Sequence, residues 1–130
     1  MKIINGENLP AGRLASYAVK ESLKGEEIAI INCSDVIITG SKKSIEKDFH
    51  EKRHRVGSVQ KGPRHDKSST KIVKRIIRGM IPEHRYGRGR EAFKRIKCYE
   101  KIPKELEGKE TENVNFGKKI KYSKVKEFTK

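Results

Sequence analysis

Residues 2–33, KIINGENLPAGRLASYAVKESLKGEEIAIINC, contain the clearest indication of the fold class. It opens with Lys2-Ile3-Ile4-Asn5, which has the composition of a short strand. From about residue 10 to 24, apolar residues recur at helical spacing, and Gly25 follows as a typical helix C-cap. The Ile-rich segment 27–33 then predicts a second strand. A strand, a helix and a strand in this order predict a crossover unit of an α/β sheet.

Two further apolar segments predict a single α/β domain with about four strands. Val36-Ile37-Ile38-Thr39, ended by Gly40, supplies one strand, and the segment from Ile96 to Tyr99 supplies the other. With 130 residues, of which 33% are hydrophobic, the chain has too little apolar surface for two separate cores.

Positive charge is concentrated in the middle of the chain. The formal net charge is +15; residues 1–40 contribute −1, residues 41–100 contribute +12 and residues 101–130 contribute +4. Nine of the ten arginines lie between Arg53 and Arg95. Because the planar guanidinium binds phosphate and stacks on bases, this cluster indicates a nucleic-acid partner more strongly than an equal number of lysines would.

The segment from Ser69 or Thr70 to Met80 predicts a strongly amphipathic helix. At 100° per residue, an apolar set and a cationic set point in roughly opposite directions. The apolar set is Ile72, Val73, Ile76, Ile77 and Met80, and the cationic set is Lys71, Lys74, Arg75 and Arg78. The alternative is an ordinary solvated face, but such a face normally mixes acids with bases, and this one contains no acid. A second short helix repeats the pattern, with Ala92, Phe93 and Ile96 inward and Lys94 and Arg95 outward.

A weakly apolar helix and a long loop precede this segment. Residues 41–56 predict a helix with a narrow apolar stripe and a basic second half. Residues 57–69 show no periodicity, and a loop of about 12 residues in a compact domain is usually functional or disordered. We expect residues 51–69, approximately, to form a basic arm that becomes ordered on a partner.

Catalytic and metal-binding motifs are incomplete. The segment 87–92 matches the dinucleotide fingerprint in its letters, but no strand precedes it. Gly57 and Gly62 have the spacing of a phosphate loop, but Pro63-Arg64 replace the required Lys and Ser/Thr. His50 and His54 lack a third ligand at metal spacing, and we expect them to join the basic face. We therefore expect no enzyme, no cofactor and no bound metal.

The remaining features predict a cytoplasmic protein with free thiols. No run approaches the ~18 apolar residues of a membrane span, and residues 1–6 are too short and too polar for a signal peptide. Cys33 and Cys98 lie in apolar stretches, which predicts buried structural thiols in a reducing compartment. In the tail, apolar residues from Phe116 to Phe128 are expected to anchor it either to its own domain or to a neighbouring protein.

Several blocks of the chain resemble the family of ribosomal protein thirteen of the large subunit, in its archaeal and eukaryotic branch. Their order and spacing hold from about residue 2 to 103. The blocks are Gly12-Arg13-Leu14-Ala15-Ser16, Ile30-Ile31-Asn32, Val36-Ile37-Ile38-Thr39-Gly40, Gly62-Pro63, Arg75-Ile76-Ile77-Arg78-Gly79-Met80-Ile81-Pro82, Ala92-Phe93-Lys94-Arg95-Ile96, and Tyr99 with Pro103. The chain departs from the family at Asn5-Gly6, Ser69 and Lys101, and none of these departures removes a basic residue.

The resemblance implies a three-layer α/β/α fold with a small mixed or mostly parallel sheet, membership of the large ribosomal subunit, and contact with its rRNA. It covers one domain over residues 1–103, including the basic arm, and leaves residues 104–130 as a C-terminal extension. The implied partners are large-subunit rRNA and neighbouring ribosomal proteins. We expect no membrane, no small-molecule substrate and no homo-oligomer.

A cationic surface is expected to bind this rRNA, mainly through phosphates and with only minor base-specific reading. The predicted rRNA-binding residues are Arg13, Lys52, Arg53, His54, Arg55, Lys61, Arg64, His65, Lys67, Lys71, Lys74, Arg75, Arg78, Arg85, Tyr86, Arg88, Arg90, Lys94 and Arg95. One alternative is a free-standing regulator that binds RNA or DNA and stays off ribosomal particles. Another is a small enzyme with a basic pocket, which would bind a phosphorylated metabolite.

Overall fold

The computed structural model describes residues 1–55, 65–112, 114, 117 and 121–129. The helices and strands, in chain order, are β1 (Lys2–Asn5), α1 (Ala11–Leu23), β2 (Ile28–Ile31), β3 (Ile37–Thr39), α2 (Lys42–His54), α3 (Ser69–Met80), α4 (Gly87–Arg95), β4 (Ile96–Cys98) and β5 (Tyr122–Lys124). Short 3-10 helices lie at Cys33–Asp35, Lys104–Leu106 and Val125–Phe128. The helices and strands predicted from the sequence are confirmed, and β5 is an additional strand.

A three-stranded parallel sheet, in the order β1-β2-β4, forms the centre of the fold. In its register, Lys2 lies opposite Ile28, and Ile28 lies opposite Ile96 on the other side. Parallel neighbours cannot be joined by a tight hairpin, so the chain returns through α1 before it enters β2. This arrangement confirms the crossover unit predicted from residues 2–33.

Helices α1, α3 and α4 cover one face of the sheet and enclose the main core. Its largest fully buried side chains include Ile4 and Ile30 from the sheet, Leu14 from α1, and Val73 and Ile77 from α3. Burying each such side chain contributes about 1.5–3 kcal/mol relative to leaving it in water. Docking on the sheet therefore fixes which side of α3 faces outward.

Irregular chain and one 3-10 helix cover the opposite face of the sheet. Because side chains alternate along a strand, Ile3, Ala29 and Ile31 point away from the three helices. They form a second cluster with Leu106 of the 3-10 helix and with the half-buried ring of Tyr99. The α/β class is confirmed, and none of the α-helices in the described part of the chain belongs to this layer.

β3 pairs with the C-terminal tail and not with the central sheet. It lies antiparallel to β5, with Ile37 opposite Lys124. The central sheet therefore has three strands, where about four were expected. The physical reason lies in the chain after β2: Asn32 adopts a left-handed conformation with φ 55°, and the 3-10 helix Cys33–Asp35 turns the backbone away from the sheet. The edge of β3 is thereby left available to the tail.

The tail packs against the body of the same chain. Val125 is fully buried in the main core, and Phe128 is 4% exposed. The ring of Phe128 stacks on that of Phe49 in α2, with centroids 5.3 Å apart. Of the two anchoring surfaces that the sequence left open, the structure therefore shows the protein's own domain for residues 121–129, whereas Phe116 lies outside the described residues. The boundary at residue 103 stays a prediction.

Cysteine placement agrees only partly with the sequence prediction. Both cysteines are free thiols; Cys33 is buried, as predicted, but Cys98 is half-buried.

None of the helices in the described ranges has the length and apolar character needed to span a bilayer.

Candidate nucleic-acid interface

Helix α3 separates apolar from cationic side chains around its axis. Three apolar residues are buried in the core: Ile72, Val73 and Ile77. The four cations lie on the other side, with Lys71 and Arg78 exposed and Lys74 and Arg75 half-buried. The predicted segregation of this helix is confirmed, since its orientation is set by core burial and its cations are left facing outward.

Met80 is an exception to the predicted apolar face. It is 43% exposed. Met80 is the last residue of α3, and its methyl group lies over Gly12 of α1, 3.9 Å from the place where a Cβ would stand. Because Gly12 has no side chain, it does not shield Met80 from solvent.

A groove of about 490 Å³ lies beside the cationic side of α3 and is walled by α2 and α4. Its cations are Lys52, Lys71, Lys74, Arg75 and Arg78, and its apolar surface comes from Phe49, Ile72, Ile76 and Phe93. His65 also lines it. Six predicted residues, separated by up to 26 positions in the chain, are thus brought to one groove. The fold concentrates positive charge that is only loosely clustered in the sequence.

Lys74 is held at the groove by an aromatic ring of the neighbouring helix. Its Nζ lies 5.1 Å from the centroid of the Phe93 ring. A cation over an aromatic face is attracted by the quadrupole of the ring, typically by about 0.5–1 kcal/mol at an exposed site. The contact keeps the ammonium in the groove without neutralising its charge.

His65 lies at the groove as a neutral imidazole. Burial, followed by the positive charges of Arg75, Lys52 and Arg55, lowers the pKa of His65 below its ordinary value of 6.5. At neutral pH the ring therefore carries no charge, and one ring nitrogen can donate a hydrogen bond while the other accepts one.

Two acids form ion pairs near the groove. Asp66 Oδ1 lies 3.1 Å from Lys71 Nζ, and Asp48 Oδ2 lies 2.5 Å from Lys52 Nζ. All four side chains are at least 40% exposed, and such surface pairs contribute only about 0–1 kcal/mol. A polyanion can therefore displace these carboxylates at little cost.

The structure places Arg53 against the tail and outside the groove. Its guanidinium donates a hydrogen bond to the carbonyl oxygen of Phe128 and lies over the ring of Phe49, 5.5 Å from the centroid. Its Nε is buried and has no hydrogen-bond acceptor among the residues that the structure describes. In this position Arg53 links α2 to the tail.

His50 and His54 stack on each other on α2. Their ring centroids lie 4.0 Å apart, and Nδ1 of His54 lies 2.8 Å from the carbonyl oxygen of His50. In the described part of the chain, no three His, Cys, Asp or Glu residues lie close enough together to hold a metal ion. The two histidine rings therefore stack on each other, and the ring of His54 also contacts the backbone of His50.

Arg88 and Arg95 of α4 contact the end of α1. The guanidinium of Arg88 donates to the carbonyl oxygen of Leu23 at 2.8 Å, and that of Arg95 donates to the carbonyl oxygen of Ser22 at 3.5 Å. The last carbonyls of a helix lack partners within it and carry partial negative charge, so cations stabilise them. Arg95, predicted to point outward, is half-buried. These two arginines help to join α4 to α1.

The remaining predicted residues occupy several exposed positions. His54 is exposed on α2, and Tyr86 is 73% exposed. Lys61 and Arg64 lie outside the described residues. The other exposed residues of the predicted set are Arg13, Arg55, Lys67, Arg85, Arg90 and Lys94.

Sequence reasoning missed the apolar and small residues of the groove. Phe93 was predicted only to pack inward, and neither Phe49 nor Gly79 was predicted to belong to a site, yet all three line the groove. A usable signal was the position of Phe49, three residues before Lys52 on the same helical face. No local signal relates Gly79 to α2.

Comparisons with known proteins identify the family of the chain. A family model described as Ribosomal protein L13 matches residues 1–105. The large ribosomal subunit protein uL13 of Thermoplasma volcanium is 41% identical over 115 residues, which cover 88% of this chain and 83% of the relative. The uL13 protein of Methanosarcina barkeri is 44% identical over 112 residues, covering 85% and 79%. That of Picrophilus torridus is 42% identical over 114 residues, covering 88% and 81%. These matches confirm the resemblance found in the sequence blocks, and the chain belongs to the ribosomal protein L13 family.

Proposed function

We propose that the chain is a structural protein of the large ribosomal subunit that binds rRNA through the groove and the cationic side of α3. The observation that carries this proposal is the orientation of α3. Core burial of Ile77 and its neighbours holds the helix on the sheet, while Lys71 and Arg78 remain exposed at the groove. Helix α3 carries no acid of its own on this face, and the Asp66 carboxylate that pairs with Lys71 is exposed and easily displaced, which suits a phosphate backbone.

Phosphate neutralisation supplies the affinity. Each phosphate that meets a lysine or arginine releases counterions, which makes binding strongly dependent on salt. The planar guanidinium groups of Arg75 and Arg78 can each donate hydrogen bonds to two oxygens of one phosphate. Because phosphate contacts carry no sequence information, we infer that the protein recognises the shape of folded rRNA and not a base sequence.

Further partners follow from family membership. The relatives are named as proteins of the large ribosomal subunit, which supports contacts with neighbouring proteins of that subunit. A ribosomal protein works in the cytoplasm, as the sequence predicts. We further propose that the chain acts without catalytic activity, cofactor or small-molecule substrate, and as a single copy.

Charge reversal tests the proposal. Lys71→Glu combined with Arg78→Glu is expected to prevent incorporation into the large subunit, measured by co-sedimentation with ribosomal particles. The matched control is Lys20→Glu combined with Lys109→Glu, because both lysines are exposed and neither lines the groove. Incorporation of the first variant at the level of the control would refute the assignment of this surface.

The alternative of a free-standing regulator has a different outcome in the same experiment. In that case the unmodified protein would stay off ribosomal particles and would still bind RNA or DNA in isolation.

A further inference from the structure

The groove beside α3 has features that binding to a phosphate backbone alone does not require. It is about 490 Å³ in volume, which falls within the size range of small-ligand sites. We propose that it holds one unstacked nucleotide of the bound RNA, with the base inside and its phosphates on the surrounding cations. This inference rests on the proposed function and specifies what the groove binds.

The apolar surface of the groove is the first argument. Ile76 and Phe93 are half-buried and line the groove, together with Phe49 from the opposite wall. A row of phosphates gains nothing from such surface, whereas a base loses its stacking partners when it leaves a helix and needs apolar contact in return. Apolar surface surrounded by cations is therefore complementary to a nucleotide and not to a smooth duplex backbone.

The distribution of charge is the second argument. Lys71 and Arg78 are exposed at the groove, and Lys74 is held over Phe93 with its charge intact. A nucleotide whose base enters the groove places its two flanking phosphates outside it. The cations are positioned for those phosphates, which accounts for apolar surface and positive charge in one site.

His65 supplies a polar group for the base. Burial and the neighbouring cations keep its imidazole neutral, as described above. A neutral imidazole offers one donor and one acceptor, which suits the edge of a base better than the anionic phosphate. The ammonium of Lys74 already lies over the ring of Phe93. We therefore expect the base to contact side-chain edges and Ile76, with little preference among the four bases.

Gly79 provides a way to fill the groove without changing its charge. It lines the groove near the end of α3, and within the described ranges no neighbouring atom lies within 4 Å of the position that a Cβ would take. Gly79→Phe places a ring where the base is proposed to lie, and Gly79→Leu is a second, smaller filling variant. Gly79→Ala is the matched control, because it makes the same backbone change and leaves the groove open.

The experiment uses the full-length chain and two RNA probes. One is a ten-nucleotide oligouridylate, and the other is the same strand with its bases removed. We expect the unmodified protein and Gly79→Ala to bind the strand with bases about five- to tenfold more tightly than the abasic strand, the lower part of the range known for bases against protein side chains, because this base contacts side-chain edges and does not stack fully on a ring. Gly79→Phe and Gly79→Leu are expected to abolish this difference while leaving the affinity for the abasic strand unchanged. Thermal unfolding checks that each variant is folded, and a folded Gly79→Leu suffices if the Phe variant is unstable.

Failure of this inference is distinguishable from failure of the proposed function. Equal affinity of the unmodified protein for both strands would overturn the nucleotide site, as would a base-dependent difference that survives in the filled variants. In either case Lys71→Glu with Arg78→Glu would still weaken binding to both strands if the cationic surface binds RNA. If that charge reversal leaves both affinities unchanged, the proposed function itself fails.

Discussion

Lys124 Nζ lies 3.0 Å from Asp35 Oδ1, and this ion pair joins the tail to the 3-10 helix that follows β2. Lys126 Nζ lies at the same distance from the same oxygen. Hydrogen bonds from Lys126 and then Lys124 hold the pKa of Asp35 below its ordinary value. Since Val125, between the two lysines, is fully buried, the carboxylate fixes the tail where it enters the core.

Asp35→Asn is expected to loosen the tail without unfolding the domain. The substitution removes the negative charge that both lysines share, at a cost of about 1 kcal/mol for partly exposed pairs. Amide hydrogen exchange should become faster in β3 and β5 and stay unchanged in β1 and β2. Asp66→Asn is the control, since Asp66 pairs with Lys71 away from the tail. Unchanged exchange in β5 would show that apolar contacts alone hold the tail.

Glu21 is expected to make the protein sensitive to acid. Hydrogen bonds from Lys2 and then Lys24, both at 2.6 Å, lower the pKa of Glu21 from 4.5 to about 2. Because the folded state binds this proton less readily than the unfolded state, the contribution of Glu21 to stability is present above about pH 4.5 and is lost as the pH falls towards 2. The free energy of unfolding should therefore decline over this window in the unmodified protein.

The comparison with Glu21→Gln isolates that contribution. This variant should be less stable than the unmodified protein at pH 7, and the difference should shrink between pH 4.5 and 2. Glu26→Gln, an exposed neighbour, should follow the unmodified protein throughout. A difference for Glu21→Gln that stays constant with pH would mean that the lysine contacts do not persist in solution.

Two glycines of neighbouring helices should respond to alanine in opposite directions. A Cβ at Gly89 would lie 2.0 Å from the carbonyl oxygen of Pro82, so Gly89→Ala forces the turn before α4 to move and should cost about 1–3 kcal/mol or more. At Gly79 the space is open, and alanine should stabilise α3 by up to about 1 kcal/mol. Thermal unfolding of the two variants measures both effects. Equal changes of the same sign would refute the close packing at Gly89.

Binding to single-stranded RNA should weaken steeply with salt. If each of the five groove cations meets one phosphate, the logarithm of the affinity should fall with the logarithm of the salt concentration with a slope of about −3.5. Lys71→Glu with Arg78→Glu should make this slope shallower by about 1.4, because two contacts are lost. Fluorescence anisotropy at several salt concentrations measures the slope. A slope that is unchanged in this variant would place the RNA elsewhere on the chain.

The elements that depend on neighbours within a few residues could be predicted from the sequence. The run Lys2–Asn5, the helical spacing before Gly25 and the opposed faces of α3 are local patterns, and the structure follows them closely. Burial drives this agreement, because an apolar stripe has a single favourable orientation against a core.

The contacts that join distant segments could not be predicted from the sequence and are seen in the folded chain alone. β3 pairs with β5 across more than 80 residues, Arg88 and Arg95 bind the end of α1, and Arg53 binds the tail. The composition of the middle segment identifies all these arginines as cations and does not distinguish one from another. Which of them face the groove depends on carbonyl groups and rings that come near only after the chain has folded, and no local pattern carries that information.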